Sequence, residues 1–318
     1  MKKTNNSLKC AYALILLCII TIIGLCSCEL IMENKYGKPT YSKINILVYG
    51  NDYYYSPKYG SATARTLRCT INDATQVGLA LEAWAKKEGI VYQSLYVTGK
   101  EYSKEGDHNT TKAHFRDLMS DLATKSKEGE LTFIYFSCHG YNTIPYEVKK
   151  EYASTNQTAF VMCGNTGKSE ECQLYWHSEF KEDLAQIKGA KVVFADICYS
   201  GGLVEPGNVS INTSEYNGMD ALQLFWNTQV SELPDTFILT ASRYYEMSYE
   251  NPAYNHGLFT RALLSALDWD EDQQCLGDNT KDNITFFGLC RNVVESLSSY
   301  NKHQNPSLSD GSNDLILF

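Results

Sequence analysis

The apolar positions of this chain change period as they go, and the changes mark out its elements. Residues 43–50 (Lys-Ile-Asn-Ile-Leu-Val-Tyr-Gly) are β-branched and apolar and end in glycine, which predicts a first buried strand. Over 73–87 the residues Val77, Leu79, Ala80, Leu81 and Trp84 recur mostly at helical spacing, with Gly89 just beyond, and predict a helix. Residues 90–97 return to strand character, 111–125 to helix and 131–137 to a buried strand. After a long polar insertion the rhythm resumes. A helix is predicted at 178–187, strands at 191–197 and 236–241, helices at 257–267 and 285–300, and a final strand at 314–318.

Strands alternating with helices imply an α/β fold, a mostly parallel sheet covered on both faces. In such sheets functional residues gather beyond the carboxyl ends of the strands. Two predicted strand ends carry reactive groups: Ser137 leads into Cys138-His139-Gly140, and Ile197 leads into Cys198-Tyr199-Ser200-Gly201-Gly202. If these strands are parallel neighbours, about 5 Å apart, His139 and Cys198 emerge side by side. A thiolate is the reactive form of cysteine, and a nearby imidazole can favour it and later protonate a leaving amine. Glycines beside both residues let a substrate backbone approach, and the N–H groups of Gly140 and Cys198 are candidates to face an oxyanion. Taken singly, a cysteine at a strand end reads as a small buried hydrophobe and a loop histidine as a polar surface residue. Their joint placement favours the catalytic reading.

Composition narrows the classes. The chain has 318 residues, 43% hydrophobic and 20% charged, with a net charge of -9. That is enough for a folded domain and lacks the charge excess of disorder. Lys and Arg nowhere interleave with aromatics in a run, so a nucleic-acid partner is not expected. The acidic balance fits cationic substrates better.

Lys2, Lys3 and Lys9 precede an apolar run over residues 10–25, short for a membrane span, so residues 1–27 read as a signal peptide. The run ends in Leu25-Cys26-Ser27-Cys28, which resembles the bacterial lipobox. That resemblance implies lipidation of Cys28, with enough acyl chains for stable anchoring. An ordinary secretion signal or an uncleaved anchor are the alternatives. Residues 28–42 then read as a membrane tether and 43–318 as the catalytic domain, held at the inner or outer membrane of a bacterial cell envelope, outside the cytoplasm. Of eleven cysteines, seven remain after the leader and Cys28, an odd number that leaves a free thiol or an intermolecular pair.

The segment Tyr135-Phe136-Ser137-Cys138-His139-Gly140 is similar to the YFSGHG segment of the caspase and metacaspase family, and Asp196-Ile197-Cys198-Tyr199-Ser200-Gly201 to its DxCHSG segment. Cys198 lies 59 residues after His139, near the caspase separation of about 50. The QACxG signature of true caspases is absent, so the metacaspase-like branch is nearer. Leu67-Arg68-Cys69-Thr70-Ile71-Asn72-Asp73-Ala74 resembles LxGCxNDA, Leu239-Thr240-Ala241-Ser242-Arg243 with Glu250 resembles a later strand and loop, and the segment from His256 to Leu264 resembles the GxFTxxL helix. Cys138 stands where the family has glycine and Tyr199 where it usually has histidine. A disulfide between Cys138 and Cys198 is one reading of the first departure.

The resemblance implies a caspase-like three-layer sandwich with a sheet of about six strands. It also implies a cysteine endopeptidase with Cys198 as nucleophile and His139 as acid/base. It further implies a substrate pocket lined by Asp73, Ser137 and Asp196, where two carboxylates would select Arg or Lys. Asp73 as a helix N-cap and Asp196 as an internal acceptor are the structural alternatives. No cofactor is expected and calcium stays undecided, since no Asp-rich loop of recognised spacing is present. Cys163 and Cys172 suit a disulfide better than a zinc site, whose paired spacing and fourth ligand are missing. The expected partners are a peptide or protein substrate and, through the lipid, a membrane. Residues 203–235 contain no Lys or Arg, so an enzyme of basic preference cannot cut itself there and a single-chain form is expected. The alternative is a catalytically idle module binding peptides or partner proteins.

Overall fold

The computed structural model describes residues 41–51, 67–99, 110–143, 158–162, 173–204, 233, 235–277, 284–301, 303–309 and 315–318. These belong to the compact unit Thr40–Phe318. The leader, Cys28 and most of the tether lie outside the described residues, as do Cys163, Cys172 and nearly all of 203–235.

The elements run β1 (Ile44–Asn51), α1 (Thr70–Lys87), β2 (Tyr92–Gly99), α2 (Lys112–Lys125), β3 (Leu131–Ser137), β4 (Gly140–Asn142), β5 (Thr158–Met162), β6 (Gln173–Trp176), α3 (His177–Ala185), β7 (Ala190–Asp196), β8 (Thr236–Thr240), β9 (Glu250–Asn251), β10 (His256–Gly257), α4 (Leu258–Ala266), β11 (Trp269–Asp270), β12 (Cys275–Leu276), α5 (Phe286–Tyr300) and β13 (Ser307–Leu308). The main sheet has six strands in the order β13-β8-β7-β3-β1-β2. Its inner pairings are all parallel, and only the edge strand β13 is antiparallel.

Strand side chains alternate between faces, so one apolar run feeds two cores. Ile46 and Val48 of β1, Phe133 and Tyr135 of β3, and Val192 and Phe194 of β7 pack beneath α1, α4 and α5. Leu47 and Tyr49, Ile134 and Phe136, and Val193 and Ala195 pack on the other face with Phe115 of α2 and Phe180 of α3. The result is three layers. Helix α2 starts cleanly because the Thr111 side chain accepts the His114 N–H at 3.2 Å, and α5 because Thr285 does the same for Gly288 at 3.1 Å. Lys112 with Glu179 at 2.8 Å and Arg116 with Asp183 at 2.7 Å tie α2 to α3.

Two expectations need correction. The insertion after β3 contains a second sheet, antiparallel β4-β5-β6, whose strands are too short to stand out among polar residues. The predicted terminal strand does not join the main sheet: Asp314 lies outside the described residues, and Ile316 forms an isolated bridge with Thr285. Consecutive Leu317 and Phe318 both pack into the same core, beneath α1, α4 and α5, whereas consecutive residues of a strand point to opposite faces. Phe318 instead stacks on Phe133 and Trp84, with ring centroids 5.5 and 5.4 Å apart. The sixth strand is the short Ser307–Leu308.

Candidate active site

Strands β3 and β7 are parallel neighbours whose last residues, Ser137 and Asp196, are in register. His139 and Cys198 each lie two residues beyond that pair, so they leave the same edge of the sheet from adjacent strands. Both line one cleft, of about 70 Å³, together with Asp73, Ser137, Asp196, Thr70, Ser248, Glu250 and Gly257.

Each loop is pinned. The His139 carbonyl accepts the Val161 N–H at 2.9 Å, which stitches the histidine to the small sheet. That bond makes Gly140 and Phe160 a non-hydrogen-bonded pair, leaving the Gly140 N–H outside the ladder. A β-carbon at Gly140 would meet the Cys198 carbonyl oxygen at 1.9 Å, so the two loops touch backbone to backbone. On the other side, Tyr199 adopts a left-handed conformation, φ 62°, and donates its N–H to the Glu246 carbonyl at 2.8 Å. Such a conformation costs a non-glycine residue about 1–2 kcal/mol. It turns the chain sharply into the buried 3-10 turn Ser200–Leu203, where Ser200 Oγ accepts the Ser242 N–H at 3.2 Å.

Cys198 is partly buried, and its Sγ donates to the Ser248 carbonyl at 3.6 Å. Burial pushes its pKa up, more than that hydrogen bond lowers it. The resting group is therefore the thiol, and a base must take its proton as substrate arrives. Cys138 carries no disulfide: its side chain is buried in the second core, and its Sγ contacts the His139 carbonyl at 3.4 Å. Cys138 and Cys198 are not joined by a disulfide, so that reading does not hold.

The floor of the cleft is acidic. Asp73 sits in the first turn of α1 and does not cap it, since Cys69 holds the N-cap position. Its carboxylate accepts the Ser137 hydroxyl at 3.0 Å, the Gly257 N–H at 3.2 Å to either oxygen, and His256 Nδ1 at 2.8 Å. Asp196 accepts the Ser248 hydroxyl at 2.5 Å and both the N–H and hydroxyl of Thr260, at 3.1 and 2.6 Å. A β-carbon at Gly257 would come within 2.2 Å of Asp196 Oδ2 and 3.3 Å of Asp73 Oδ2, so only glycine fits between the two acids. Burial raises Asp73 to about 7, against the lowering effect of His256, and burial likewise raises Asp196. Glu250 lines the same cleft and takes the Arg68 and Cys69 N–H groups at 2.9 and 3.1 Å, at the start of α1. Two buried carboxylates and Glu250 line the cleft, with no Lys or Arg among its described lining residues.

All five side chains expected from the sequence thus meet in one cleft. The sequence reading missed their supports. Ser248 and Thr260 clamp Asp196 from 52 and 64 residues away, separations that carry no local signal. His256 precedes Gly257 and an apolar helix, a visible pattern whose partner Asp73 lies 183 residues off. Thr70 lines the cleft, and its buried hydroxyl has no hydrogen-bond partner among the described residues. Among the described residues no group of three or more His, Cys, Asp or Glu is arranged to hold a metal ion.

Comparison with known proteins adds the fold. No family model matches the chain, and no curated protein matches it. Among solved structures, the crystal structure of protein GSU0716 from Geobacter sulfurreducens matches with a TM-score of 0.51 and 15% identity, over 85% of this chain and 95% of that one. The class defined by fold and cleft is a three-layer α/β protein with a thiol and an imidazole at the carboxyl edge of its parallel strands.

Proposed function

We propose that the chain is a cysteine endopeptidase, similar to the metacaspase-like branch of the caspase family, that cleaves peptide bonds after Arg or Lys. One observation carries this reading: the in-register ends of β3 and β7 set His139 and Cys198 at the same distance beyond adjacent strands, over an acidic cleft. His139 takes the Cys198 proton, and the thiolate attacks the scissile carbonyl carbon. The N–H groups of Gly140 and Cys198 receive the oxyanion. As the C–N bond breaks, His139 returns the proton to the leaving amine, and water then hydrolyses the thioester, with His139 again as base. Asp73 and Asp196, positioned by Ser137, Gly257 and Thr260, hold the cationic side chain before the scissile bond.

The test uses reduced protein with Arg- and Asp-terminated fluorogenic peptides beside Cys198→Ala. Hydrolysis after Arg by the parent and none by the variant is expected, with the chain between residues 203 and 235 staying uncut on gels. Equal inactivity of both proteins, with and without calcium, would favour the second reading, an idle peptide-binding module. The two departures from the family pattern, Cys138 before the histidine and Tyr199 after the nucleophile, speak for that module. We also propose that Cys28 carries the lipid anchor; Cys28→Ala should move the protein from the detergent phase to the aqueous phase, and unchanged partitioning refutes the anchor.

A further inference from the structure

His256 takes no part in the proposed chemistry, yet it is 5% exposed and bonded at both ring nitrogens to acids. Nδ1 lies 2.8 Å from Asp73 Oδ1 and Nε2 lies 2.7 Å from Glu271 Oε2. A neutral imidazole has one N–H and can donate to one carboxylate; only the imidazolium donates to two. Glu271, in the turn between β11 and β12, is partly exposed and is itself held by Asn72 Nδ2 at 2.9 Å. Adjacent residues Asn72 and Asp73 of α1 thus grip the two ends of one chain of acids and imidazole.

Two further acidic groups stand beside the adjacent Gly257. Asp196 on β7 lies beyond Gly257, and Glu250 on β9 is the strand partner of Gly257. Burial opposes a charge on His256, but the hydrogen bonds and fields of Asp73 and Glu271 together raise its pKa. Asp73, 1% exposed, is the group most in need of a counter-charge.

We propose that His256 is a positioning residue that keeps the buried Asp73 carboxylate ionised and aimed, and so gives the cleft its selectivity for a cationic side chain. The inference rests on the cation-selecting reading of the cleft and deepens it. His256→Gln keeps an N–H donor for Asp73 but removes the charge. His256→Leu removes both.

The test measures kcat and KM across pH 5.5–9 for peptides with Arg and with norleucine before the scissile bond. Calorimetric binding of benzamidine to full-length Cys198→Ala, with and without His256→Gln, runs beside it. In His256→Gln, KM for the Arg peptide should rise about tenfold or more, with kcat within a few-fold, since one pKa unit of lost counter-charge is a factor of ten. The acid limb of kcat/KM should move to higher pH, and the norleucine peptide should respond little. Loss of benzamidine binding in the variant carries the proposal even if no peptide is cut, so it survives failure of the peptidase reading. An unmoved acid limb, an equal loss for both peptides, or no benzamidine binding by Cys198→Ala itself overturns it.

Discussion

At the scale of single residues, the site depends on two places where a side chain has no room. Gly140 and Gly257 let a loop touch the Cys198 backbone and let two carboxylates share one floor. The Cys198 carbonyl cannot give way as a flexible side chain would, so Gly140→Ala must move one of the two loops. A misplacement of about 1 Å is worth about a hundredfold in rate. Gly140→Ala should therefore lose at least about a hundredfold in kcat/KM toward an Arg peptide while keeping its far-ultraviolet dichroism; activity within a few-fold of the parent would mean that His139 and Cys198 do not work as a unit. The same sequence spans carry Tyr199 in a left-handed turn, a strain visible only once the backbone is known.

At the scale of elements, the alternating strands and amphipathic helices were legible because each buries a face whose period the sequence displays. The expectation for 131–137 coincides with β3, and those for the helices at 111–125 and 285–300 differ from the structure only by their Thr111 and Thr285 caps. Short pairings were not legible. Strands of two to four residues such as β4, β6 and β13 hold too few positions to show a period, and their ladders are chosen by what lies across from them. The chain terminus is the clearest case: residues 314–318 read as a strand, yet Phe318 is held by stacking on Trp84 of α1 and Phe133 of β3. Phe318→Ala should cost about 3–5 kcal/mol in urea denaturation, with little change in the denaturant slope. A loss under about 1 kcal/mol would mean that the Phe133 and Trp84 stack does not anchor the end.

At the scale of the whole molecule, the buried titratable groups set how stability follows pH. Asp73 is raised by burial to about 7, so its contribution is full below its unfolded value near 3.8 and is lost as pH rises through about 7. Asp196 is raised by burial and His256 by its two carboxylate partners against burial, and both act with the same sign. His177 is opposite: burial lowers it to about 3, so its contribution is present above about 6.5 and is lost as pH falls toward 3. The two trends offset each other between about pH 4 and 6.5. Above about 6.5 the His177 gain is complete while the losses at Asp73 and His256 continue, and Tm should fall between pH 6.5 and 8. Asp73→Asn should flatten that fall; a Tm that climbs from pH 6.5 to 8, or an unchanged slope in Asp73→Asn, refutes the assignment. A bound cation favours the charged carboxylate, so benzamidine should stabilise the protein more at pH 8 than at pH 6.

The sequence by itself determined the alternation of elements, the two-faced sheet and the reactive ends of two strands, because these follow from periods and end signals carried by neighbouring residues. Asp73, Ser137 and Asp196 were marked by the resemblance to a known family's motifs. Tertiary structure alone decided that β3 and β7 are neighbours in register, that Cys138 packs into the second core, and that His256 joins Asp73 across 183 residues. Local patterns set which face of an element is buried. Which buried faces meet is fixed only when the chain packs and every interior charge finds its counterpart.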